Sequence, residues 1–133
     1  MIVPLKFSQI EGPALSTGTS AAFSTSGVVR LDINAAVTDL AGGRHAAVYF
    51  YVEQLDAGSV WRPVWGSSTL RRAATVGARL GAGAGPADGA VVGGVGRGNG
   101  VFAMSMTSQA RLGWTVSGSP TSLVFNAEAR LAT

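Results

Sequence analysis

The sequence predicts an all-β domain: an antiparallel β-sandwich, Ig-like or jelly-roll, built from seven to nine short strands with one long Gly-rich loop. Three observations carry this. Apolar residues recur with period two along most of the chain, the spacing that buries one face of a strand. Clusters of Gly, Pro, Ser, Asn and Asp separate the runs at short intervals. No segment sustains the spacing of a long amphipathic helix. An up-and-down barrel satisfies the same pattern and stays open as an alternative. At 133 residues the chain is expected to form a single domain, 1–133.

Taken in order, Val3, Leu5 and Phe7 alternate with Pro4, Lys6 and Ser8. Pro4 has no amide proton to donate, so this strand is expected to lie at a sheet edge or to start outside the sheet. A Ser/Thr/Gly segment and a short strand around Phe23 follow. Val29, Leu31, Ile33, Ala35 and Val37 then share one face, against Arg30, Asp32, Asn34 and Thr38. Residues 46–55 alternate again, with Val48, Phe50 and Val52 opposed to Tyr49, Tyr51 and Glu53. Asp56-Ala57-Gly58-Ser59 turns the chain into Val60–Trp65, where Pro63 signals an edge or a bulge. On a regular strand, Trp61 and Trp65 share a face. Thr69–Leu80 fits a short helix or a strand, and the surroundings favour strand or coil.

Residues 81–100 are the exception, since nine of the twenty are glycine. Such a stretch is costly to order unless its own fold or a neighbouring chain holds it. Val101–Thr107 resumes as a strand with Phe102, Met104 and Met106 on one face. The last stretch, Arg111–Leu131, reads as two strands around Ser117-Gly118-Ser119-Pro120, a β-hairpin. The core expected from these patterns contains Leu31, Ile33, Phe50, Val52, Trp114 and Phe125.

Charged residues make up only 13% of the chain, about half the usual share, so a weakly charged surface or one covered by partners is expected. The net charge of +3 is too small for a nucleic-acid face, even with nine of the ten basic residues being Arg. The nearest approach to a patch is Arg62, Arg71, Arg72 and Arg79. Pro4 and Lys6 interrupt the first apolar run, unlike a signal peptide, and no run approaches the roughly 18 apolar residues of a membrane helix. Synthesis in the cytoplasm, with no membrane partner, is the expectation.

The chemistry sought in the residues is mostly missing. Cysteine is absent, and His45 is the single histidine. The seven acids are scattered, no G-x-S-x-G elbow occurs, and the Gly-rich stretch holds neither a phosphate-loop Gly-Lys-Ser/Thr nor G-x-G-x-x-G. No catalytic residue, cofactor or metal site is predicted. Trp61, Trp65, Tyr49 and Tyr51 could make a carbohydrate platform, though packing is the commoner use of such rings.

Two stretches together are similar to a known group. VYFYVEQLDAGSVWRPV (Val48–Val64) and RLGWTVSGSPTSLVFNA (Arg111–Ala127) resemble small β-sandwich virion proteins of tailed bacteriophages, particularly those of actinobacteria. The resemblance implies a minor capsid protein of decoration or cement type on the outer capsid surface. It would bind the major capsid protein and copies of itself, a trimer being favoured. A tail component (tube, terminator or baseplate) and a carbohydrate-binding module are the alternatives. No catalytic residue transfers with the resemblance, and the Gly-rich insertion departs from the usual pattern. The contact residues expected are Ile2, Val3, Leu5 and Phe7 in the first strand, and Gly85, Val91, Val92, Val95 and Arg97 in the Gly-rich stretch.

Overall fold

The computed structural model describes the backbone of residues 2–11 and all of residues 17–133. Seven described strands have six residues or more: β1 (Ile2–Glu11), β4 (Arg30–Ala41), β5 (Ala47–Leu55), β6 (Trp61–Gly66), β7 (Ala74–Leu80), β11 (Gln109–Ser117) and β12 (Ser122–Ala132). Five more have two or three residues: β2 (Gly18–Thr19), β3 (Phe23–Ser24), β8 (Ala90–Val92), β9 (Val95–Arg97) and β10 (Gly100–Phe102). No helix occurs among the described residues.

The strands form two sheets. One has the order β1-β12-β4-β7-β10, the other β2-β11-β5-β6-β9-β8, with β3 also paired to β11. Counting β2 and β3 as one position beside β11, the eight main positions lie 1-8-3-6 in one sheet and 2-7-4-5 in the other. Every link between them crosses from sheet to sheet except the β5–β6 hairpin. That winding is a jelly roll, so of the two sandwich types the sequence allows, this one is adopted. The main pairings are antiparallel, while β9 on β6 and β10 on β7 are parallel.

The inward faces carry the alternation. Leu31, Ile33, Ala35 and Val37 of β4 are buried, as are Val48, Phe50 and Val52 of β5 and Leu123, Phe125, Ala127 and Ala129 of β12. Val29, by contrast, is 48% exposed, because the strand begins one residue later at Arg30. The Phe125 ring meets Phe50 edge-on with centroids 5.0 Å apart, and Trp114 at 5.2 Å. Phe50 and Trp114 belong to one sheet and Phe125 to the other, so this aromatic trio joins the two layers. Trp114 itself is half-buried and packs against the core.

Three local features differ from the sequence pattern's expectation. The terminal stretch is not a hairpin: β11 lies in the seven-stranded sheet and β12 in the five-stranded one, linked by an arch over residues 118–121. Alternation states which face of each run is apolar. It leaves open whether the partner lies alongside or across the core, and the aromatic trio shows the two faces meeting across it. The arch is held at Thr121, whose amide donates to the Ala41 carbonyl at 2.8 Å, and Pro120 is buried. Second, the strand after residue 100 ends at Phe102. Buried Gln54 replaces its continuation, its Oε1 accepting from the Thr107 amide at 2.6 Å and its Nε2 donating to the Ser105 carbonyl at 3.4 Å. Third, Trp61 and Trp65 do not share a face. Val52 pairs with Trp65 and Glu53 with Pro63, so Val64 is an extra residue that reverses the parity. Trp65 points into the core at 0% exposure and Trp61 points out.

Candidate functional site

The Gly-rich segment is ordered by its own fold. Asp88 accepts the Val101 amide on Oδ1 at 2.7 Å, and the Trp65 indole donates to the Gly98 carbonyl at 2.8 Å. The Phe102 ring fills the space where side chains at residues 89 and 96 would stand: a Cβ on Gly89 would lie 2.2 Å from it, and one on Gly96 2.6 Å. Between these anchors β8 and β9 form a hairpin. Val92 pairs with Val95 across Gly93-Gly94, whose φ values of 59° and 77° are those of a type I′ turn. The hairpin presents Val91 and Val92 to solvent at 62% and 63% exposure. Val95 is half-buried, Gly85 lies exposed in the connection between β7 and β8, and Arg97 is exposed at the end of β9. Ile2, Val3, Leu5 and Phe7 lie on β1, the outermost strand of the five-stranded sheet. There Val3, Leu5 and Phe7 take register opposite Leu131, Ala129 and Ala127.

The second candidate is the outer face of the seven-stranded sheet. Along β5 it carries Tyr49, Tyr51 and Glu53, flanked by Arg111 on β11, Trp61 on β6 and Arg97 on β9. Arg111 donates from Nε to Glu53 Oε1 at 2.9 Å, and its guanidinium lies 4.2 Å over the Trp61 ring. One arginine is thereby held by a carboxylate and an aromatic face together. Tyr51 reclines on Gly113, where a Cβ would lie only 2.1 Å from the phenol carbon Cζ. Tyr49 and Arg97 converge over Gly66, where a Cβ would meet Arg97 Nη1 at 3.1 Å and Tyr49 Cε2 at 3.4 Å. The two tyrosine rings are 5.5 Å apart and tilted by 31°. Burial, together with the neighbouring Glu53 and Tyr49, raises the Tyr51 pKa above its ordinary value.

The arginines that the sequence groups together are dispersed. Arg62 binds Asp56 at the β5–β6 turn, Arg79 binds Asp32 on the outer face of the five-stranded sheet, and Arg71 and Arg72 lie exposed in the β6–β7 connection. His45 is exposed and accepts the Arg44 Nε proton at 3.2 Å. Among the described residues, no group of three His, Cys, Asp or Glu could hold a metal ion. The Tyr–Arg strip was only partly visible in the sequence. The β5 alternation placed both tyrosines outward, but the sheet partners Arg97 and Arg111 come from distant strands. No family model, curated protein or solved structure matches this chain, so its working surfaces are read from their own geometry.

Proposed function

We propose that the protein is a structural component of a virion, a decoration or cement protein that binds the outer surface of a phage capsid without catalysing a reaction. Its partners are the major capsid protein and further copies of itself. The observation that carries this reading is the β8–β9 hairpin: an ordered protrusion whose Val91 and Val92 stand in solvent at 62% and 63% exposure. A hairpin already paired before docking loses less entropy than a flexible loop would. Burying each valine against a partner contributes roughly 1.5–3 kcal/mol before the costs of association. Among the described residues the ten-residue strand β1 has a neighbour on one side only, so main-chain groups on its other side suit pairing with another chain. The low charge of the surface and the resemblance of Val48–Val64 and Arg111–Ala127 to virion proteins support the same reading. The jelly roll selects no function by itself, since it serves capsid and lectin domains alike.

Immunogold labelling of virions from the genome that encodes the chain tests the assignment. Label spread over the shell is the expected result. Label confined to the tail moves the protein to a tube, terminator or baseplate role, and unlabelled virions end the proposal.

A further inference from the structure

We propose that the outer face of the seven-stranded sheet binds an acidic oligosaccharide, with Tyr49 and Tyr51 as the stacking platform and Arg97 as the carboxylate-binding group. The site is separate from the β8–β9 tip and does not depend on the capsid reading.

The platform is made by glycines. Gly113 and Gly66 leave room that any larger residue would fill, so the Tyr51 ring lies down on the sheet and the Tyr49 edge closes over Gly66. The two rings, 5.5 Å apart and tilted by 31°, overlap as an offset pair on the open face of the sheet, both half-exposed. The C–H face of a sugar ring can stack on the exposed side of such a pair, while its hydroxyls bond to the phenols and to water.

Charge selects the acidic class. Arg111 on this face is held by Glu53 at 2.9 Å, and Arg62 beyond it is held by Asp56 at 2.5 Å. Arg97 has no carboxylate within ion-pair distance among the described residues, and its guanidinium sits beside the Tyr49 ring over Gly66. A planar guanidinium held beside an aromatic platform can take a uronate carboxylate through two parallel hydrogen bonds. A nucleic acid would need a row of such cations along its phosphates, and this strip has one uncommitted cation. A protein hot spot centres on anchors that fill pockets, whereas Tyr51 lies over Gly113 on the open sheet.

Isothermal titration calorimetry of the full chain with oligogalacturonate, and with a malto-oligosaccharide of equal length, tests the site. Wild type is expected to bind the uronate and not the neutral chain. Arg97→Gln should weaken uronate binding roughly tenfold through loss of the charged hydrogen bonds. Tyr51→Ala should abolish it. Because Arg97 is exposed, its variant should keep the wild-type Tm, and Val91→Asp should bind the uronate as wild type does. Failure to bind either sugar overturns the proposal, as does equal binding of both or unchanged affinity in Arg97→Gln. Loss of capsid binding in Arg97→Gln without any sugar binding makes this face a protein contact and also overturns it.

Discussion

Single side chains divide here into those that close the sandwich and those that shape its outer face. Phe125 belongs to the first kind. It is fully buried and touches Phe50 and Trp114 of the opposite sheet, so truncating it removes the aromatic contact between the layers and leaves a cavity. Phe125→Ala is expected to cost about 3–5 kcal/mol, read as a fall in the urea midpoint with little change in slope. Tyr51 belongs to the second kind. Burial raises its pKa, with Glu53 and Tyr49 adding to the effect, so its neutral phenol is favoured in the folded protein. The corresponding stability is fully present below the unfolded value of about 10 and is lost as pH rises through the higher folded value. Ultraviolet titration of Tyr49→Phe, which leaves Tyr51 as the sole tyrosine, should show ionisation above the free-tyrosine value when folded and at that value in urea. Coincident curves would contradict the burial argument.

At the scale of elements, the arch between β11 and β12 is closely packed against the chain beside it. Gly118 has φ of 72°, and a Cβ there would stand 1.8 Å from the His45 carbonyl oxygen, a backbone atom that cannot move aside cheaply. Gly118→Ala is expected to destabilise the fold by about 3 kcal/mol, a loss that thermal unfolding would detect. This arch also marks where sequence reading stops. The period-two pattern was enough to place β4, β5, β11 and β12 and their buried faces, because side-chain direction along a strand is a local property. Which strands pair is decided by contacts across the chain. The same Leu112-Trp114 and Leu123-Phe125 pattern serves a hairpin or an arch equally well. The Val64 bulge was hidden for a related reason, since one extra residue reverses every later side chain without changing composition. Pro63 hinted at an irregularity and could not say which face Trp65 would take. The hairpin within residues 81–100 was legible only as Gly93-Gly94 between short apolar runs. The rings that hold the segment, Phe102 and Trp65, lie outside it.

Across the whole molecule, the two outer faces differ in kind. The five-stranded sheet carries ion pairs, Arg30 and Arg79 on Asp32 and Arg130 on Glu128, each exposed enough to contribute little to stability. The seven-stranded sheet carries the tyrosines, Trp61 and Arg111, and the β8–β9 hairpin extends from its far side. A jelly roll with one polar face, one aromatic face and an exposed apolar hairpin suits a protein that works by being held against others. The measurement closest to that claim is cosedimentation with phage capsids assembled without the protein, followed by heating of the pelleted particles. Wild type should pellet with the shells and raise the temperature at which they open. The double variant Val91→Asp/Val92→Asp should keep its own Tm yet stay in the supernatant, because two charges cannot be buried in an apolar contact. Wild type that stays in the supernatant, or a double variant that pellets and stabilises shells as well as wild type, would contradict the account.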